Sequence, residues 1–246
     1  MFAAPDFAAK AVNAFSQTAL NESASWAKLL AALGPVIVQD AVILYGKAEE
    51  PAKTPLLFEI LARFPEAAAV ESQKRFRDDR PHFVRNLLIL LREMNRRETA
   101  DQVRRLLDHD AQIVRMEALT TLLQFDDEAA KTALGELLHT AKGDLLSQAI
   151  SLAGRYRVAR LVPDLVAMLK RFLVFKSGFA RNKELLLALG SIGDTRAIPK
   201  LLDLARRSWS PHRERLAEQK VMLFKSLIGY PVDEVRELLD LGINAQ

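Results

Sequence analysis

The sequence contains no cysteine. Disulfide frameworks, thiolate zinc sites and cysteine nucleophiles are excluded together, and the chain suits a reducing compartment. Long apolar runs are missing too. Charge-free segments such as Leu29 to Gln39 reach about half of the roughly 20 residues that a bilayer-spanning helix needs, and this one is broken by Gly34-Pro35. The opening "MFAAPDFAAKAVNAF" has no basic region ahead of an apolar core and no arginine of the transit-peptide kind. A cytoplasmic location without membrane attachment is therefore expected. Glycine-rich phosphate loops are absent: Gly190 and Gly193 follow a helical pattern, with neither a preceding strand nor a P-loop lysine. Alternating apolar and polar runs and Asn-Gly hairpin turns are absent as well, which leaves no place for a β-sheet.

What is present is helix periodicity. The 246 residues are 50% hydrophobic and 27% charged, an ordinary balance for a folded chain. Apolar residues recur at i, i+3, i+4 and i+7 in Val84, Leu87, Leu88, Leu91, again in Val114, Ala118, Leu119, Leu122, and again in Leu185, Leu186, Leu189, Ile192. The spacing predicts an all-α chain. Aligning the helix ends on their last apolar residue, expected to be buried, places Met94, Phe125, Tyr156, Ile192 and Ile228 in register, at separations of 31, 31, 36 and 36. Pro163 precedes Pro199, Gly154 precedes Gly190 and Gly193 precedes Gly229 by the same 36 residues.

Each repeat reads as an inner helix, a short turn, an outer helix and a longer loop. In "ALGSIGDTRAIPKLL", residues 188 to 202, Gly193 is suited to the left-handed conformation that closes a helix, because it has no Cβ to clash. Asn95 and Asp126, the next most tolerant residue types, hold the equivalent place in two other repeats. Asp194 is placed to cap the next helix, and Pro199, lacking an amide hydrogen, belongs in its first turn. Units of this kind bury their apolar faces only by stacking on neighbours. A single right-handed α-solenoid of antiparallel helix pairs over 1–246 is expected: degenerate units and a cap over 1–77, better-formed repeats over 78–230, and an acidic capping helix over 231–246. The first helix is expected to bury Phe7, Ala11 and Phe15.

The stretch L-G-x-I-G-D-x-x-A-I-P-x-L-L at Leu189 to Leu202, with "IVRMEALTTLL" at 113–123 and "FVRNLLILL" at 83–91, resembles the short bacterial HEAT repeat, including the type found in phycobilin lyase subunits. The resemblance is good from Arg80 to Leu204. Repeats of this type occur in scaffolds, nucleic-acid binders and a few enzymes, so in place of a function the resemblance implies the architecture only. Within that architecture it implies that Arg85 and Arg115, near the start of two inner helices, pair with a nearby aspartate, for which Asp79 and Asp110 stand ready. The other role open to these arginines, and to Asn86, is contact with a ligand on the concave face.

No cofactor or metal is expected. His82, His109, His139 and His212 fall in different repeats, none at ligand spacing from another. The carboxylate pairs Glu49-Glu50, Asp78-Asp79 and Asp126-Asp127 stand at helix ends, where capping accounts for them. Tryptophans occur only at 26 and 209, and neither is followed at helical spacing by an aspartate, unlike the concave face of HEAT-like DNA glycosylases.

Charge is uneven. Residues 151–225 hold 16 Lys and Arg against 6 Asp and Glu, whereas residues 71–150 hold 13 against 14. The basic third includes Arg206 and Arg207 beside Trp209, with Phe175 and Phe179 upstream. A basic and aromatic patch could serve nucleic acid through phosphate contacts and base stacking. Arg181 and Lys183 are the basic residues expected on the concave face. The segment 170–179 is expected either to lengthen an outer helix into the core or to form an apolar ledge for a partner. The expected function is a non-enzymatic adaptor that binds a protein along the concave surface. Nucleic-acid binding is the alternative, and a lyase or glycosylase activity the remaining one.

Overall fold

The structure is a computed structural model that describes residues 5–17, 20–49, 54–170, 176–206 and 213–243. Among these residues every regular element is an α-helix or a short 3-10 turn, and no strand occurs. The all-α expectation holds, with helix pairs stacked in the solenoid manner. The chain forms two compact units, Met1–Ala130 and Lys131–Gln246.

The first unit runs through α1 (Pro5–Gln17), α2 (Leu20–Ala32), α3 (Val38–Gly46), α4 (Thr54–Leu61), α5 (Pro65–Gln73), α6 (Pro81–Glu93), α7 (Ala100–Arg104) and α8 (Gln112–Gln124). The division falls within α9 (Glu128–Thr140). The second unit contains α10 (Gly143–Arg155), α11 (Val162–Met168), α12 (Lys176–Ile192), α13 (Ile198–Ala205), α14 (Arg213–Ser226) and α15 (Arg236–Ile243). In the first unit α6 packs on α8 and on α3. In the second, the inner helices α10, α12 and α14 lie side by side, and the outer helices α13 and α15 touch.

The periodic residues account for this packing. Val84, Leu87, Leu88 and Leu91 of α6 are fully buried, as are Val114, Ala118 and Leu122 of α8 and Leu185, Leu186 and Leu189 of α12. The helix ends follow the expected register, with φ of 51° at Asn95, 63° at Asp126 and 70° at Gly193. Arg157 fills the same place after α10 at φ 49°, a position whose residue type gives no hint of it. Around the three non-glycine residues the chain closes by a six-to-one hydrogen bond, from Arg96 N to Leu91 O, Asp127 N to Leu122 O and Val158 N to Ala153 O, each at 3.0 Å.

Outer helices open with a 3-10 turn, at Arg97–Thr99, Ala159–Leu161 and Thr195–Ala197. Asp194 caps the last of these by accepting from Arg196 N at 3.0 Å, and Pro163 and Pro199 fall in the first turns of α11 and α13. The Asp194 carboxylate also grips the Arg196 guanidinium at 2.7 and 2.8 Å. Asp78 and Arg80 repeat this clamp at 3.0, 2.8 and 2.7 Å ahead of α6. These bonds to arginine hold both aspartates below their usual range, Asp78 at about 2.

Four expectations need correction. The outer helix is not lengthened: α11 stops at Met168, and α12, from Lys176, has 17 residues against 13 in α6, α8 and α10, while residues 171–175 of the expected segment lie outside the described residues. Buried Asn182 accepts from Lys170 N at 3.1 Å and donates to Lys170 O at 2.8 Å, which ties the residues just after α11 to α12. Ile228 is 89% exposed instead of buried, because it sits in the 3-10 turn Leu227–Gly229 beyond α14. In α1 the buried stripe is Ala8, Ala11, Val12 and Phe15, and Phe7 faces out. The acidic C-terminal segment splits into the turn Val232–Val235 and α15; Val235 and Leu238 are buried and its charged residues face out, as a cap requires.

Candidate functional site

The residues singled out in the sequence separate into those engaged in the scaffold and those left at the surface. Arg181 donates to Ser147 Oγ at 3.0 Å, Glu184 Oε2 at 2.6 Å and Gly143 O at 3.3 Å, and so ties α12 to α10. Arg115 donates to the His109 and Asp110 carbonyls at 2.6 and 2.7 Å. Asn86 donates to Gly46 O at 3.0 Å and holds the C-terminus of α3. Arg206 is ion-paired with Glu237 of α15. Phe179 is buried, which places it in the core and not in an exposed patch. Phe175, Arg207, Trp209 and His212 lie outside the described residues.

The expected pairs of Arg85 with Asp79 and Arg115 with the Asp110 carboxylate are replaced. Arg85 Nε lies 3.6 Å from Glu117 Oε2, and Arg92 binds the other oxygen of the same carboxylate. Glu117 is thus shared by two arginines of α6 from its place on α8. Burial nevertheless raises its pKa, against the pull of Arg92 and Arg85, because desolvation of this carboxylate outweighs the attraction. Sequence reasoning passed over Glu117, whose only signal was an acidic residue inside an otherwise apolar inner-helix run.

Lys183 is exposed on α12, and around it the second unit exposes a surface that sequence reasoning had not assembled. Leu187 on α12 is 47% exposed, Val221 on α14 is 52% exposed, and Ile228 follows Val221 by two helical turns. Leu187, Arg157, Lys225 and Ile228 line a groove of about 450 Å³ between the C-terminal ends of α12 and α14. An adjoining groove of about 330 Å³, sharing Leu187 and Ser191, runs along α10 between Arg155, Ser151 and Glu184. Gly190 sets this geometry: a Cβ there would lie 2.7 Å from the Ser226 carbonyl oxygen, so the two helices cross backbone to backbone. Large side chains then stand at the flanks of the crossing instead of between the helices. The signal for the surface was present, since Leu187 falls off the buried stripe of α12 and Val221 sits among charged residues.

Other candidate chemistry is accounted for by the scaffold. His109 Nδ1 accepts from Ala111 N at 3.0 Å, and His139 Nε2 is 3.3 Å from Asp164 Oδ1. Asp127 accepts from Ala130 N at 3.2 Å and from Arg104 at 2.8 Å. Among the described residues no three His, Asp or Glu side chains converge as metal ligands, and no single helix is long and apolar enough to cross a membrane.

Comparison with known proteins supports the repeat reading. Residues 73–154 match the model of HEAT repeats, and residues 183–207 match that of the PBS lyase HEAT-like repeat. The two matched stretches together reach into both units. No curated protein matches the chain. Among solved structures, the crystal structure of an engineered protein aligns over 91% of this chain and 97% of its own, at 16% identity and a TM-score of 0.43. Helical repeats of this kind are scaffolds, commonly for protein interaction.

Proposed function

We propose that this protein is a non-enzymatic adaptor that holds a protein partner on the inner-helix surface of its second unit. The observation that carries the reading is the exposed apolar row of Leu187 on α12, Val221 on α14 and Ile228 in the turn beyond it, flanked by Arg155, Arg157, Lys183 and Lys225. Exposed apolar patches rimmed by charge are where soluble proteins meet partners. Cations around an apolar row suit an acidic amphipathic helix, whose apolar side covers the leucine and isoleucine while its carboxylates meet the rim.

Nucleic acid is the weaker reading here. Aliphatic side chains cannot stack on bases, and two cations of the basic third, Arg181 and Arg206, are held in ion pairs. Purification of the full chain from its native cells should recover a stoichiometric protein partner. Leu187→Asp or Ile228→Asp should weaken that complex by about tenfold or more, and Lys183→Glu with Lys225→Glu should slow its association. Recovery of nucleic acid alone, with binding insensitive to Leu187→Asp, would sink the proposal.

A further inference from the structure

One exposed stripe runs the length of α14. Glu214, Glu218, Val221, Lys225 and, in the turn beyond the helix, Ile228 are all exposed, at spacings of 4, 3, 4 and 3 residues. Alternating fours and threes hold side chains on a single face, the spacing of helices that pair along a seam. The stripe has no use inside the fold, since the buried residues of α14 are Leu216, Gln219, Leu223 and Ser226. Its apolar members are well out in solvent, Val221 at 52% and Ile228 at 89% exposure. Of the inner helices in this unit, α12 packs on both α10 and α14, whereas α14 packs on α12 alone. One flank of α14 is therefore open.

The charges on the stripe are segregated. Glu218 stands about one turn before Val221 and Lys225 about one turn after it, and neither has an ion pair among the described residues. They cannot neutralise each other, because seven residues set them two turns, about 10 Å, apart on the same helix. A parallel neighbour of the same sequence would place Glu218 beside Glu218 and Lys225 beside Lys225. An antiparallel neighbour reverses the order: a two-fold axis at Val221 brings Glu218 of each copy opposite Lys225 of the other. Val221 then meets its own counterpart, Ile228 closes each end of the seam, and the two helix dipoles oppose. A face that is complementary to itself in this way is what a two-fold interface requires.

We propose that two copies of this chain pair through α14, antiparallel about an axis at Val221, with reciprocal ion pairs between Glu218 and Lys225. The pairing goes beyond the adaptor reading and needs no other protein. Val221, Lys225 and Ile228 serve both surfaces, so a chain paired with itself has part of its adaptor surface covered.

Sedimentation equilibrium of the pure full chain at low ionic strength should show a monomer–dimer equilibrium with Kd of about 100 µM or tighter, weakened by added salt. Glu218→Lys and Lys225→Glu should each weaken it about tenfold or more, because each creates two like-charged contacts across the axis. Together the two exchanges restore opposite charges, and the dimer should return to within about threefold of its original affinity. The chain has no cysteine, so Val221→Cys supplies a single thiol at the axis. A short bismaleimide should join two such chains and leave a Val70→Cys control, exposed on α5 of the first unit, as monomer. If a single charge variant loses its helical circular dichroism, the cross-link decides. A chain that stays monomeric up to about 1 mM, a dimer indifferent to both single exchanges, no recovery in the double variant, or equal cross-linking at position 70 would overturn the pairing. The adaptor reading fails separately, in the recovery from native cells: Glu218→Lys, which adds positive charge to that surface, should break the self-pair and leave an acidic partner bound.

Discussion

The two units solve the same packing problem in different ways. In the first, the inner helices α6 and α8 are joined by a largely buried carboxylate, Glu117 between Arg85 and Arg92, above a core of full-sized leucines. In the second, α12 and α14 cross at Gly190 with no room for a side chain, and α12 is tied to α10 by Arg181, which pairs with Glu184 on its own helix and donates to Ser147 and the Gly143 carbonyl. The charge balance differs in step, with 16 Lys and Arg against 19 Asp and Glu in 1–130 and 19 against 12 in 131–246. The lesson is that one repeat pattern can leave opposite surfaces. Filling the crossing with charge covers the inner face of the first unit, whereas drawing backbones together exposes Leu187, Val221 and Ile228 on the second.

The largest effect that would break this contrast is expected from Gly190→Val. A branched side chain at a backbone crossing must push α14 from α12, at a cost of about 3 kcal/mol or more. The damage should stay in the second unit, since solenoid repeats support mainly their neighbours. In a Trp209→Phe background, Trp26 emission reports the first unit by itself. Helical circular dichroism should then melt in two steps, with the Trp26 transition unmoved. A single shared transition would show that the units unfold together.

Next in size is Glu117→Gln, which leaves two half-buried guanidinium groups without their carboxylate. About 1–3 kcal/mol should be lost, less than for a fully buried pair because Arg85 is 39% exposed. Denaturant unfolding followed at Trp26 measures it, and a change below about 0.5 kcal/mol would mean the three charges do not join the helices.

Smaller again is the pair Asp78→Ala and Asp194→Ala. Each removes one clamp of identical geometry, one per unit, so each should cost about 1 kcal/mol and the two should add. Unequal losses would show that the clamps differ in their surroundings. The smallest expectation concerns acid. Asp78 is held at about 2 in the fold against an ordinary 3.8. A carboxylate depressed by folding stabilises above its ordinary value, and that contribution is lost as pH falls from about 4 toward 2. Asp78→Asn should flatten the loss measured over that window.

Much of the architecture was legible in the sequence, because it depends on short-range chemistry. The left-handed residues Asn95, Asp126 and Gly193 and the cap at Asp194 are all statements about neighbours in the chain. The candidate site was less legible. Arg115, Asn86, Arg181 and Arg206 read as available cations or polar groups, and each turned out to be held by a partner at least five residues away or on another helix. Phe179 read as a possible anchor and is core.

By itself, then, the sequence determined that this chain folds as repeated helix pairs and where those helices end. Helical periodicity and turn stereochemistry act over a few residues and leave their mark in residue type. Tertiary structure decided which charges remain free and which leucines face outward. Those outcomes depend on how closely two helices approach. A single glycine at position 190 and a single glutamate at 117 set that distance from opposite directions, and neither declares its partner until the repeats are stacked.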